Sequence, residues 1–166
     1  VAEADPTDFY AVNLLGTRHL LEALSTAVTP PICTIVASSA NVYGNSTLEV
    51  LEETAETRPA NDYAVSKLAM EYLAKTYMER LGIVITRPFN YSGVGQEPRY
   101  LIPKIVSHFK KQAAHIELGN TDVARDFSDV RDIAKAYRLL AEIQPNGEIF
   151  NPVSYTHLTL PTIGYV

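Results

Sequence analysis

The chain has 166 residues, of which 46% are hydrophobic and 20% charged, and it carries a formal net charge of −5. That length and balance suit one soluble globular domain with room for a real core. The acidic balance and the lack of any dense Lys/Arg run argue against a polyanion-binding surface, so no nucleic-acid partner is expected.

In chain order, "DPTDFYAVNLLGTRHLLEAL" reads as a helix, with Pro6 near its start and apolar residues at helical spacing through Leu21 and Leu24. Gly16 in its middle costs helix stability and is expected to permit a close approach to a neighbour. "ICTIVAS" is a continuous apolar and β-branched run, as expected of a strand covered on both faces. Its Cys33, the only cysteine, reads as a small buried hydrophobe, so neither a disulfide framework nor a thiolate metal cluster is available. The polar loop "SANVYGNST" follows, then a helix from Tyr63 to about Arg80, and "GIVITR" supplies a second buried strand. Residues 91–100 carry Gly93, Gly95 and Pro98 and read as loop.

"IPKIVSHFKKQAA" predicts a helix with Pro103 in its first turn, and "IEL" a short strand. "SDVRDIAKAYRLLAEI" predicts a helix capped by Ser128 or Asp129, and "GEIFNPV" a last strand. Strands alternating with helices imply parallel pairing and an α/β doubly wound sheet. The four histidines form no ligand spacing, so no metal site is expected. Without a membrane-length apolar span or a leader-like opening, a cytoplasmic protein with no membrane partner is expected.

Two Tyr-x-x-x-Lys pairs occur, and such a pair alone carries little information. In Tyr100/Lys104 the intervening Pro103 places the tyrosine before its helix, so the two side chains need not share a face. No proline interrupts Tyr63/Lys67 in "NDYAVSKLAMEYLAK", and the i, i+4 relation holds there. The strand "ICTIVASS" ends in Ser38 and Ser39, and "GIVITRPFN" ends in Pro88 and Asn90. Ligands of a parallel sheet bind beyond the carboxyl ends of its strands, the edge where the Tyr63 helix also begins.

The ordered set "VN..GT", "SSANVYG", "YAVSK", "RPFN" and "ARDFSDVRD", from about residue 1 to residue 152, resembles the extended short-chain dehydrogenase/reductases that act on nucleotide sugars, the NAD-dependent epimerase/dehydratase family. A carbonyl reductase needs a proton donor beside the oxygen of the carbonyl that receives the hydride. An ordinary tyrosine titrates near roughly 10, so such a site must stabilise its phenolate, and an ammonium close by does this by Coulomb attraction. Tyr63 and Lys67 are placed for these parts, and Ser39 for a hydrogen bond to the same carbonyl oxygen.

The resemblance further implies NAD or NADP as cofactor, with Lys67 on the nicotinamide ribose and Ser38, Tyr63 and Pro88 also among the cofactor-binding residues. It implies a relay role for Asn13, a diphosphate contact from Arg125, and sugar or phosphate contacts from Asn41 and Asn90. Each has a plainer alternative: a surface pair for Tyr63/Lys67, a loop tie for Asn13, a strand cap for Asn90, and an ion pair with Asp122 or Asp126 for Arg125.

Under the same resemblance residues 1–89 belong to a Rossmann-like cofactor domain lacking its first strands and glycine-rich turn. Residues 90–128 form a substrate-binding lobe, and 129–152 return to the sheet. Residues 153–166, "SYTHLTLPTIGYV" after Val153, look like translated sequencing adapter, a non-native tail. Family members that dehydrate the sugar usually carry Glu two residues before the position of Tyr43. Here that residue is Asn41, after Ala40, and an amide cannot act as a general base.

The wording of 87–96 and 118–140 looks most like reductases of GDP-4-keto-6-deoxymannose, which would reduce the C4 ketone of the sugar. A UDP-hexose 4-epimerase and a GDP-mannose 4,6-dehydratase are the alternatives within the family. A non-catalytic nucleotide-binding sensor is the alternative outside catalysis, disfavoured by the intact Ser39, Tyr63 and Lys67. The resemblance also implies a homodimer built on a four-helix bundle, with Leu14, Leu20, Leu21, Leu68, Tyr72 and Leu73 supplying core and interface.

Overall fold

The computed structural model describes residues 5–119, 124–153 and 157–159. They divide into two compact units, residues 1–89 with 135–152, and residues 90–134 with 153–166.

The first unit is an α/β layer on a parallel sheet. Asp5 opens its first helix, accepting hydrogen bonds from the Thr7 amide (2.9 Å) and the Thr7 hydroxyl (2.7 Å), with Pro6 in the first turn. Helix α1 (Pro6–Phe9) runs into a π-helical stretch, Tyr10–Gly16, and then into α2 (Thr17–Ser25). The expectation for Gly16 is corrected here. Among the described residues a Cβ at Gly16 would meet only the Ala11 carbonyl oxygen, at an ordinary 3.6 Å, so none of their other elements approaches it closely. The glycine instead ends the widened turn, and that oxygen lies five residues back in the same helical run.

Strand β1 (Thr34–Ala37) pairs in parallel with β2 (Ile83–Thr86), Thr34 opposite Ile83 and Ala37 opposite Thr86. β5 (Ile149–Phe150) extends the sheet on the far side of β2. All four residues of β2 are buried, as the β-branched run "IVIT" led us to expect of a buried strand. Gly82 enters β2 against the Ile32 carbonyl, which a Cβ would meet at 2.2 Å, so only glycine lets the two backbones approach this closely.

Helix α3 (Asp62–Lys75) crosses the sheet. Asn61 caps it through a 2.9 Å bond from the Ala64 amide. Met70, Ala74, Tyr77 and Leu81 pack with Leu21, Val36, Ile83 and Ile85 into one core. The helix stops at Lys75 rather than near Arg80. The Thr76 hydroxyl bonds back to the Leu73 carbonyl at 2.8 Å, and successive tight turns lead through Tyr77 to Leu81. Cys33 is half-buried, and burial raises its thiol pKa. Of the apolar residues assigned to core and interface, Leu21 is buried while Leu20 and Tyr72 stand exposed.

The second unit holds β3 (Asn90–Ser92), α4 (Leu101–Lys110) and β4 (Ala124–Asp129), with β6 (His157–Thr159) antiparallel to β4. β3 pairs in parallel with β4, Asn90 opposite Phe127. Residues 91 and 92 are therefore strand, not loop, and "IEL" forms no strand. Helix α5 (Val130–Ile143) starts in this unit. Of its two expected caps it is Asp129 that acts, accepting the Arg131 amide at 2.8 Å. Among the described residues no helix is long and apolar enough to cross a membrane.

Candidate active site

The carboxyl end of β1 is tied to that of β2 by two bonds. The Ser38 amide donates to the Thr86 carbonyl (2.7 Å), and the Ala40 amide donates to the Pro88 carbonyl (3.0 Å). Ser39 lies between them in extended backbone and begins a 3-10 turn, Ala40–Tyr43, its Oγ accepting the Asn41 amide at 3.2 Å. Pro88 and Ser39 are thus brought to one place by the parallel register of two apolar strands. The Ser38 hydroxyl is buried and bonds to nothing among the described residues.

Helix α3 brings its first turn to this edge. The Lys67 Nζ donates to the Ala37 carbonyl at 2.9 Å and stands 5.9 Å from the centre of the Tyr63 ring. Burial holds the Lys67 pKa below the ordinary lysine value. The ammonium therefore sits between the tyrosine and the strand end that leads into Ser38 and Ser39. Tyr63 is half-buried, its ring edge-to-face with Phe9 at 5.6 Å.

Asn13 lies in the π-helical stretch, a local form often found at functional positions. Its Nδ2 donates to the Ser66 hydroxyl (3.0 Å), which in turn donates to the Tyr63 carbonyl (2.8 Å). Tyr10 adds a second tie, from its hydroxyl to Asp62 Oδ1 at 2.8 Å. The widened turn thus grips the opening of α3 at two points.

Asn41 is exposed on the 3-10 turn. Asn90 and Arg125 belong to the second unit, where Asn90 Nδ2 donates to the Asp126 carbonyl at 3.1 Å and Arg125 is exposed on β4. Asp122, considered as an ion-pair partner for Arg125, lies outside the described residues. Among the described residues no three His, Cys, Asp or Glu side chains group as metal ligands.

Sequence reasoning passed over one charged group in the first unit. Arg87, directly after β2, makes a two-pronged ion pair with Glu71 of α3, Nε to Oε1 at 2.9 Å and Nη2 to Oε2 at 2.7 Å. Both side chains are almost wholly buried, 5% and 1% exposed. Although burial works against the charge, bonds to Glu71 and Tyr43 hold the Arg87 pKa above its ordinary value. Two signals were readable: an arginine closing a β-branched strand run, and Glu71 continuing the Tyr63, Lys67 spacing by another four residues.

Comparison with known proteins finds the NAD dependent epimerase/dehydratase family profile matching residues 1–151. GDP-6-deoxy-D-talose 4-dehydrogenase of Aggregatibacter actinomycetemcomitans is 37% identical over 150 residues, covering 90% of this chain and 51% of that protein. GDP-6-deoxy-D-mannose reductase of Pseudomonas aeruginosa is 36% identical over 160 residues, covering 90% and 52%. The human dTDP-D-glucose 4,6-dehydratase is 33% identical, covering 87% and 41%. Among solved structures, a crystal structure from Burkholderia cenocepacia J2315 superposes with TM-score 0.92 at 57% identity, covering 95% of this chain and 52% of that one. RMD from Pseudomonas aeruginosa, complexed with NADPH, superposes with TM-score 0.85 at 34% identity, covering 93% and 56%. The chain spans about half the length of the curated relatives it matches.

Proposed function

The chain belongs to the NAD dependent epimerase/dehydratase family, whose members are NAD(P)-dependent enzymes, and from that premise we propose that its protein reduces the C4 ketone of a GDP-4-keto-6-deoxyhexose. The observation that carries this reading is the Lys67 ammonium, partly desolvated and held between the Ala37 carbonyl and the Tyr63 ring. Tyr63 gives its proton to the sugar's C4 oxygen, and Lys67 stabilises the phenolate left behind. Ser39 donates a hydrogen bond to the same oxygen. Asn13, through Ser66, holds the turn from which Tyr63 projects.

The residues at this edge fit the nicotinamide end of NAD or NADP. The buried Ser38 hydroxyl has an unused bond, and the Lys67 ammonium has N–H groups to spare for a ribose. When bound, the reduced nicotinamide supplies the hydride. In the second unit, Arg125 and Asn90 are assigned to the diphosphate and sugar, and Asn41 to the sugar beside Ser39. With an amide at Asn41, the turn after Ser39 offers no base for removing the C5 proton. This favours ketone reduction over dehydration, although a dehydratase is among the relatives. A cytoplasmic homodimer is proposed with it, the exposed Leu20 and Tyr72 facing a second copy.

The test is NADPH and NADH oxidation by the full-length protein with GDP-4-keto-6-deoxymannose, beside GDP-mannose. Turnover of the ketone alone, abolished in Tyr63→Phe, is expected. Formation of a 4-keto-6-deoxy sugar from GDP-mannose would replace the reductase with a dehydratase.

A further inference from the structure

The buried Arg87 is one of the most extensively bonded side chains among the described residues, yet no step of the chemistry uses it. Besides its pair with Glu71, its Nη1 donates to the Tyr43 hydroxyl at 3.0 Å and to the Glu53 carbonyl at 3.1 Å. The Tyr43 hydroxyl donates onward to Asn151 Oδ1 at 2.9 Å. Asn151 holds the loop before α3 twice, donating from Nδ2 to the Leu51 carbonyl (2.9 Å) and from its amide to Glu53 Oε1 (2.7 Å). One guanidinium therefore joins α3, the turn that begins at Ser39, and the loop through residues 51–53.

Stability alone is a poor reason for this arrangement. Replacing a buried ion pair with apolar side chains of similar volume is often neutral or stabilising. What a planar, two-pronged pair supplies is direction, since it fixes both partners within a narrow range of distance and angle. The elements so fixed are informative. Glu71 lies on α3 eight residues after Tyr63 and four after Lys67. Tyr43 closes the 3-10 turn whose first cap is Ser39, and the other end of that turn is held by the Pro88 carbonyl, one residue beyond Arg87.

We propose that Arg87, with Glu71 and Tyr43, is a positioning device that sets the Ser39 hydroxyl against the Tyr63 phenol. This rests on the reading of Ser39 and Tyr63 as the groups at the carbonyl oxygen. A displacement of about 1 Å at such a site is enough to cost roughly 100-fold in rate.

The experiment compares the full-length enzyme with Arg87→Met/Glu71→Leu, which removes both charges together, and with Tyr43→Phe, which removes one hydroxyl and keeps the ring. Melting temperature and NADPH affinity are measured first, then kcat and KM separately, and a crystal structure of the double variant is solved. Expected are a folded double variant with near-normal NADPH affinity, a fall in kcat of roughly 10- to 100-fold, and KM changed far less. Tyr43→Phe should show a smaller fall of the same kind. The crystal structure should show the Ser39 hydroxyl displaced relative to Tyr63.

A folded double variant with wild-type kcat, or with Ser39 and Tyr63 undisturbed, overturns the positioning role. A wild-type enzyme inactive on the ketone sugar overturns the proposed function instead, and the crystal structure then still decides the positioning role. If the double variant does not fold, Tyr43→Phe decides it by the same kcat and structural criteria.

Discussion

Removing the charge of Lys67 is the sharpest perturbation of the proposed chemistry. The ammonium lies 5.9 Å from the Tyr63 ring centre, and the charge developing on that ring during proton donation is the quantity it acts on. Two unit charges at that distance interact by about 3 kcal/mol at an effective dielectric of roughly 20, the value suited to a partly buried pair. Lost from the transition state, that energy corresponds to about a 100-fold slower step. Lys67→Met should therefore lower the single-turnover rate of ketone reduction by about two orders of magnitude.

Stopped-flow measurement of nicotinamide oxidation under single-turnover conditions is the assay, because it separates chemistry from product release. The wild-type rate should also fall as pH rises past the Lys67 pKa, which burial places below the ordinary 10.5, and Lys67→Met should lack that limb. A Lys67→Met enzyme within about fivefold of the wild-type rate would refute an electrostatic role for the lysine.

The depressed Lys67 pKa has a consequence for stability too. The unfolded chain keeps this proton up to about 10.5 while the folded one releases it earlier, so Lys67 makes unfolding harder as pH rises through that window. Urea titrations of the full-length protein should show this gain, and Lys67→Met should lose it. Asn61→Ala removes the cap of α3 and should cost about 1 kcal/mol, read as a lower urea midpoint with unchanged slope. Gly82→Ala drives a Cβ into the Ile32 carbonyl and should destabilise by roughly 1–3 kcal/mol or more, read as a lower melting temperature.

The parts of the fold that were legible are those written in local pattern. The runs ending at Ala37 and Thr86 are apolar and β-branched, and both became strands of the parallel sheet. Pro6 after Asp5 marked the start of the first helix. β3 and β4 were missed because "ARDFSD" is half charged and "NYS" is short, and their strand character comes from pairing across more than thirty residues of chain. The π-helical stretch had no local signal beyond a glycine.

At the candidate site, the i, i+4 spacing marked Tyr63 and Lys67 as sharing a face. The bond from Lys67 to the Ala37 carbonyl depends on how α3 lies over β1, which no local pattern encodes. The Arg87–Glu71 pair escaped notice because its partners lie 16 residues apart on different elements, and each charge alone reads as an ordinary surface group.

The central claim is that a hydride reaches C4 of a keto sugar while Tyr63 supplies the proton to its oxygen. The most direct measurement supplies the full-length protein with GDP-4-keto-6-deoxymannose and nicotinamide cofactor deuterated at C4, then locates the label by NMR. One deuterium at sugar C4, with none at C5 and none transferred by Tyr63→Phe, is the predicted result. Solvent hydrogen exchanged into C5 without label at C4, or full transfer by Tyr63→Phe, would contradict it.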